Sequence, residues 1–152
     1  MSTFKREKGF TLVELLIVLA IIGILAAIVL VALNDSRNKG ADGGVKSNLS
    51  SARSVAEVYY NTNTGNPNSY TLVCTLGTPG GISANMVAAI KSAGLPTYTV
   101  NGTGTLTTAT CNENGSSWAA EVPLKVGGMW CVDSTSKSFK TNNTIGTGTV
   151  CS

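Results

Sequence analysis

The sequence predicts an α+β fold in which a long N-terminal hydrophobic helix packs on a small antiparallel β-sheet head. The first observation is an apolar run, Phe10–Leu33, whose 24 residues hold one charge, Glu14. The second is an apolar stripe with helical spacing within residues 34–61. The third is the composition of residues 62–152, which are rich in Thr, Ser, Asn and Gly and contain all four cysteines. We therefore expect a transmembrane helix, its amphipathic second half and a disulfide-bonded β-rich head.

The composition excludes several common classes of active site. The chain has 152 residues, 11 Lys and Arg, 8 Asp and Glu, and no His, so it holds neither a Ser-His-Asp triad nor a His-ligated metal. It also lacks the glycine-rich motifs that bind nucleotide phosphates. A net charge of +3 without a basic stripe gives no specific footprint for nucleic acid. We therefore expect a protein that is not an enzyme, with no cofactor, no metal and no specific nucleic-acid partner.

The N-terminal region has the features of a membrane anchor. Residues 1–8 carry three basic side chains and one acidic one. A helix over Phe10–Leu33 would rise about 36 Å, enough to cross a hydrocarbon core of about 30 Å. The positive-inside rule places residues 1–8 in the cytoplasm and everything after Leu33 outside. A secretory signal is disfavoured because the apolar run is long and no A-x-A site occurs in or just after it.

Glu14 is the unusual residue of this segment. A carboxylate inside a membrane helix costs about 2.5–3.5 kcal/mol on insertion scales, and such residues are commonly functional. If the chain were cut after Gly9, Phe10 would carry a new α-amino group four residues from Glu14. That amine could offset the carboxylate within one helix or between packed helices. Alternatively, Glu14 lies near the membrane interface and is merely tolerated.

The motif around these residues resembles the class III signal of type IV pilins and pseudopilins. The matching residues, which follow a short basic leader and precede the apolar helix, are Gly9, Phe10, Thr11, Leu12, Val13 and Glu14. The resemblance extends over about Lys5–Asn61. It implies that residues 1–9 are a leader peptide, that prepilin peptidase cuts between Gly9 and Phe10, and that Phe10 is N-methylated. It also implies that Glu14 pairs with the amine of an adjacent subunit.

One position departs from the family pattern. Many members have a Pro about eight residues beyond the helix glycine that matches Gly23, and this chain has Val31 there. The local melting of the helix that the family shows between these two points is therefore not expected at the Val31 end. Gly23 alone would weaken the helix by about 1 kcal/mol relative to Ala.

The function that the resemblance implies is a structural subunit of a type IV pilus-like filament. Its partners would be copies of itself, other pilins, prepilin peptidase, an inner-membrane assembly platform and, before assembly, membrane lipid. The chain would begin as a single-pass precursor in the cytoplasmic membrane and end in an extracellular pilus or a periplasmic pseudopilus. Two alternatives stay open: a pseudopilin of a type II secretion system or a minor tip pilin, and a lone membrane-anchored extracytoplasmic binding module.

The second half of the helix is predicted from spacing. Apolar residues recur at steps of four and three on one face: Val45, Leu49, Ala52, Ala56 and Tyr59. We expect this helix to end near Tyr60 and its stripe to pack on the head. The glycines at 40, 43 and 44 are expected to soften or bend it.

The head is expected to contain one short helix and several strands. The helix would cover Ser83–Ala93, with Ser83 as its N-cap and Gly94 ending it. The predicted strands are Thr97–Val100 and Thr105–Cys111, paired as a hairpin around N-G-T-G, then Trp118–Leu124 with Pro123 at an edge or end, and Met129–Asp133. The last stretch is turn-rich, with Phe139 and Ile145 as anchors.

The cysteines are Cys74, Cys111, Cys131 and Cys151. An even count outside the membrane, with wide spacings and no C-x-x-C, predicts two disulfides. Three pairings are open, and proximity in sequence weakly favours Cys74–Cys111 with Cys131–Cys151. Asp133 is interpreted as a turn cap rather than a calcium ligand, because it has too few acidic neighbours.

Overall fold

A computed structural model describes residues 9–152, and the predictions for the leader at residues 1–8 lie outside that range. The elements are α1 (Leu12–Thr62), α2 (Ser83–Ala93), β1 (Tyr98–Val100), β2 (Ala109–Glu113), β3 (Trp118–Pro123), β4 (Met129–Asp133) and β5 (Ser138–Thr141). These elements confirm the α+β class, a long N-terminal apolar helix with a five-stranded sheet. The helix ends two residues beyond the predicted Tyr60.

The residues fall into two compact units, one up to Arg37 and the other Asn38–Ser152. In the first unit the large apolar side chains of α1 point outward all round, from Val18 at 45% exposed to Leu12 at 80%. A helix with no polar face is typical of a membrane span or of the interior of a larger assembly. By length and composition α1 could cross a bilayer.

The second unit is built on a sheet whose strands follow chain order from β1 to β5. Successive strands from β2 to β5 are antiparallel, whereas β1 pairs with β2 in parallel. The predicted hairpin around N-G-T-G is therefore wrong. β1 spans only about 10 Å, so the loop at residues 101–108 can return to its start and let β2 run in the same direction. The C-terminal segment holds this loop, because the Gly104 amide donates to the Gly146 carbonyl over 2.8 Å.

The predicted apolar stripe of α1 forms one side of the main core. All five of its residues are buried: Val45, Leu49, Ala52, Ala56 and Tyr59. They share one hydrophobic cluster with α2 residues such as Met86 and with inward residues of the sheet such as Trp118. Gly44 allows α1 and α2 to approach closely, since a Cβ there would lie 2.7 Å from the Ser92 hydroxyl oxygen. The stripe was predicted correctly because helical periodicity is a local property of the sequence.

α2 begins one position away from its predicted cap. Ile82 occupies the N-cap position without a side-chain hydrogen bond, and Ser83 is the first helical residue. The other end agrees with the prediction: Gly94 adopts a left-handed conformation at φ 73° and its amide bonds back to the last turn.

β3 is buried on both faces, which alternation alone did not predict. Trp118 and Ala120 contact the main core, whereas Ala119 belongs to a second cluster with Cys131 and Ile145. This second cluster forms because the C-terminal segment folds across the outer face of the sheet. β5 also lies in the stretch that was predicted as turn-rich.

Candidate assembly site

The N-terminus of α1 is organised by Thr11 and Glu14. The Thr11 amide and hydroxyl donate to Glu14 Oε2 over 2.9 and 2.8 Å, and the Glu14 amide donates to Thr11 Oγ1 over 3.2 Å. This reciprocal arrangement is a capping box, in which an N-cap Thr and a Glu three residues later satisfy the free amides of the first turn. The sequence contains the T-x-x-E signature of this motif, but the prediction for Glu14 concerned its charge alone and did not include capping by Thr11.

Phe10 lies at the N-terminal end of α1, directly before the capping box. Phe10 is 77% exposed and precedes the N-cap directly. The Glu14 side chain bends back toward Thr11, the residue that follows Phe10. A new amine on Phe10 would therefore be close in sequence to the residue that holds the carboxylate. The arrangement therefore places an acid and a potential base at the same end of an apolar helix.

The disulfides join the residues that proximity in sequence favoured. Cys74, from the loop between α1 and α2, is bonded to Cys111 in β2, with Cα atoms 5.7 Å apart. Cys131 in β4 is bonded to Cys151, with Cα atoms 5.9 Å apart. The first bond ties a loop to the inner face of the sheet, and the second ties the C-terminus to the outer face.

Three buried polar residues on neighbouring strands hold the C-terminal segment. The Ile145 amide donates to Glu121 Oε2 over 2.9 Å, and the Cys151 amide donates to Asp133 Oδ2 over 2.8 Å. Between them, Asn112 Nδ2 donates to the carbonyls of residues 146 and 148 over 3.0 and 3.1 Å. Each strand therefore contributes one side chain that pairs with the backbone of residues 145–151.

Asp133 also shapes the turn after β4, in agreement with its interpretation as a turn cap. Its Oδ1 accepts from the Thr135 amide and hydroxyl and from the Lys137 amide, over 2.7–3.1 Å. Its Oδ2 is occupied by the Cys151 amide. Since both oxygens accept backbone hydrogen bonds, they serve the fold of the head.

Glu121 is the acid with the most unusual surroundings. The side chain is fully buried, and its Oε1 has no hydrogen-bond partner among the described residues. Burial raises the pKa of Glu121 to about 7, while the Ile145 amide works in the opposite direction. A Cβ added to Gly104 would overlap Oε1, so glycine is needed where the loop crosses this carboxyl. In the sequence, Glu121 alternates with Ala120 and Val122, and nothing in that pattern indicates that the face carrying Glu121 is covered.

Comparison with known proteins yields relatives of one kind. A family description, the prokaryotic N-terminal methylation motif, matches residues 4–30. The chain is 34% identical over 129 residues to the type IV wide pilus major component PilA4 of Thermus thermophilus, covering 80% of this chain and 86% of that protein. It is 47% identical over 51 residues to the type IV major alpha-pilin of Moraxella bovis, 34% of this chain and 32% of that one.

A third relative matches a shorter part of the chain. The type IV major fimbrial protein FimA of Dichelobacter nodosus is 59% identical over 39 residues, 24% of each chain. These two shorter matches cover about a quarter to a third of this chain, whereas the Thermus protein matches most of it. No solved structure matches the chain.

Proposed function

Because this chain belongs to the type IV pilin family, we propose that it is a structural subunit of a type IV pilus, assembled through its N-terminal helix. The observation that carries the proposal is the outward-facing apolar surface of α1, capped at its start by Thr11 and Glu14. In water that surface would be unstable, since burying apolar area is worth about 25 cal/mol per Å². Two environments can cover it, a lipid bilayer or the helices of sister subunits.

Assembly then exchanges one apolar environment for the other. The membrane stores subunits by the segment Phe10–Leu33, prepilin peptidase removes residues 1–9, and Phe10 is methylated on its new amine. An inner-membrane platform extracts the subunit, and packing against sister helices replaces the contacts with lipid. The chemistry within the chain is association rather than catalysis, so we assign it no catalytic residue and no cofactor.

Glu14 sets the axial register of the packed helices in this proposal. Paired with the Phe10 amine of a neighbour, its charge is compensated. In any other register a carboxylate would be buried alone, which costs several kcal/mol. The capping box supports this role, because it fixes where the carboxylate lies relative to the helix end.

The first test is the N-terminal sequence of the mature protein. We expect it to begin at Phe10 with an added methyl group, found by Edman degradation or by mass spectrometry of the N-terminal peptide. A mature protein that begins at Met1 or after Leu33 would contradict the proposal and favour the lone anchored binding module or a secretory signal.

The rival within the family is a pseudopilin or a minor tip pilin. Abundance separates a major subunit from either of these, because a major subunit would dominate filaments sheared from the cell surface. The similarity to the Thermus major component over most of both chains favours the major subunit.

A further inference from the structure

The second unit carries a small open cleft that is rich in lysine. We call it the cationic cleft; its volume is about 210 Å³, and its walls are Lys39, Asp42, Lys46, Leu124, Val126 and Lys140. Three of these six residues are lysines and one is an acid. The mature subunit carries little net charge, so this concentration of cations is a local feature of the head.

The lysines reach the cleft from separate elements. Lys39 and Lys46 lie seven residues apart on α1, which is two helical turns and hence the same face. Lys140 comes from β5, where it pairs in register with Trp130 of β4. The Lys46 ammonium lies 4.9 Å from the centre of the Trp130 ring, a cation–π contact that orients it. The tertiary structure therefore gathers charges that are far apart in sequence.

Within the part of the chain that the structure describes, the acid in the cleft, Asp42, forms no ion pair with these lysines and bonds to backbone amides instead. Asp42 Oδ1 accepts the Lys125 amide over 2.6 Å, and Oδ2 accepts the Val126 amide over 3.2 Å. Both oxygens therefore serve to fix the turn between β3 and β4 on α1. The Lys125 side chain of the same turn does not line the cleft, since its ammonium lies next to Gly94 at the C-terminal end of α2.

An apolar side chain projects among these cations. Val126 lines the cleft and is 55% exposed, although it is held by its backbone to the buried Asp42. Surfaces that bind at a membrane interface combine such features, with apolar groups at the acyl boundary and lysines at the headgroups. A surface that follows duplex DNA would instead need a stripe of cations along a groove.

The chain also keeps the cleft near a bilayer for as long as the apolar helix is inserted. Lys39 follows Leu33, the last residue of the predicted transmembrane segment, by six residues. Six residues span at most about 20 Å even when fully extended. The first lysine of the cleft is therefore tethered close to the headgroup layer whatever the orientation of the head.

We propose that the cationic cleft binds the phosphate headgroups of anionic phospholipids on the outer face of the cytoplasmic membrane. Bound there, the head of a stored subunit rests on the membrane surface until assembly removes the helix from the bilayer. The proposal rests on the membrane-held stage of the proposed function. Lys39, Lys46 and Lys140 supply the charge, and Val126 supplies an apolar contact.

The test measures lipid selectivity with the full chain reconstituted in phosphatidylcholine bilayers. Electron spin resonance of spin-labelled lipids gives the association constant of phosphatidylglycerol relative to that of phosphatidylcholine. We expect a ratio well above one for the native chain and a several-fold lower ratio for Lys39→Gln with Lys140→Gln, since each surface cation contributes up to about five-fold. Salt at about 0.5 M should lower the native ratio in the same way.

A charge-matched variant provides the control. Arg53→Gln with Lys137→Gln removes the same charge outside the cleft, because Arg53 lines a different depression and Lys137 bonds to the Cys151 carbonyl. This variant should keep the native ratio. All chains carry the same basic leader, so its contribution cancels between them.

Several results would overturn the proposal. A native ratio of one would do so, as would an equal loss of selectivity in the control. If the cleft variant keeps its lipid selectivity but loses binding to duplex DNA or fails to form filaments, the occupant is DNA or a sister subunit. The motionally restricted signal of spin-labelled phosphatidylcholine reports helix insertion separately. If this signal is absent, both the membrane anchoring and this proposal are contradicted.

Discussion

At the scale of single residues, Glu14 has two roles that substitution can separate. It caps the first turn of α1 through Thr11, and it brings a negative charge into an apolar segment. A glutamine in its place can still accept the Thr11 amide, because the capping box tolerates Gln as well as Glu. Glu14→Gln therefore removes the negative charge and keeps the cap.

We expect Glu14→Gln to give a processed, membrane-inserted subunit that does not enter filaments. The matched variant Thr11→Val removes the N-cap hydroxyl at a cost of about 1 kcal/mol but keeps the charge, and should still assemble. Immunoblots of sheared filaments and of membranes measure both. Normal filaments from Glu14→Gln would show that the charge is dispensable for register.

Glu121 makes the stability of the head depend on pH. Its pKa in the folded chain is about 7, raised by burial from an ordinary value of 4.5. Between these two values the folded state holds a proton that the unfolded state has released. Raising the pH through this window therefore lowers the free energy of unfolding, by about 3 kcal/mol in all.

We expect Glu121→Gln to remove most of the decrease in the free energy of unfolding between pH 5 and pH 8. Glutamine stays neutral and can still accept the Ile145 amide. Thermal unfolding in detergent, followed by the fluorescence of the buried Trp118, provides the measurement. A native protein that is equally stable at both pH values would contradict the assignment.

At the scale of elements, the C-terminal segment acts as a cover for the outer face of the sheet. It has no regular secondary structure after β5, and it is held by three side chains and one disulfide. Such a segment depends on tertiary contacts, since its own backbone hydrogen bonds are few. Its attachment should therefore respond strongly to loss of the Cys131–Cys151 bond.

We expect Cys131→Ala with Cys151→Ala to lower the free energy of unfolding by about 3 kcal/mol. Hydrogen exchange of the Ile145 and Cys151 amides should accelerate as the segment detaches. Cys74→Ala with Cys111→Ala opens a loop of 37 residues instead of 20, and because the entropic effect grows only with the logarithm of loop length, it should destabilise comparably. It should leave those two amides protected. Equal exchange in both variants would mean that the segment does not detach by itself.

At the scale of the whole molecule, an exposed apolar rod and a small polar head imply different stabilising forces. The rod is stabilised by apolar contacts, which salt does not screen. The head has only seven charged residues within 62–152, so ionic contacts between heads contribute little.

Purified filaments should accordingly resist about 1 M NaCl and dissociate in detergent. Detergent replaces the sister helices around Phe10–Leu33, whereas salt leaves them in place. Sedimentation followed by electron microscopy distinguishes the two outcomes. Dissociation by salt alone would mean that head contacts dominate the filament.

Local sequence patterns predict several features of this protein correctly. The apolar run, the Glu14 motif and the stripe from Val45 to Tyr59 follow from composition and helical spacing, which act over a few residues. The α2 helix and the strands at residues 118–124 and 129–133 were predicted for the same reason. The T-x-x-E signature of the capping box at Thr11 is equally local, although Glu14 was interpreted only through its charge.

Contacts between segments depend on tertiary structure. The parallel pairing of β1 with β2 depends on the path of the loop between them, whereas the covering of Glu121 by Ile145 and the cationic cleft join residues that are far apart in sequence. Their partners are set by loop paths and by the competition for backbone hydrogen bonds, which no short pattern records. Asp42 illustrates the limit: a polar position in the helix pattern became the buried acceptor of a turn more than 80 residues away.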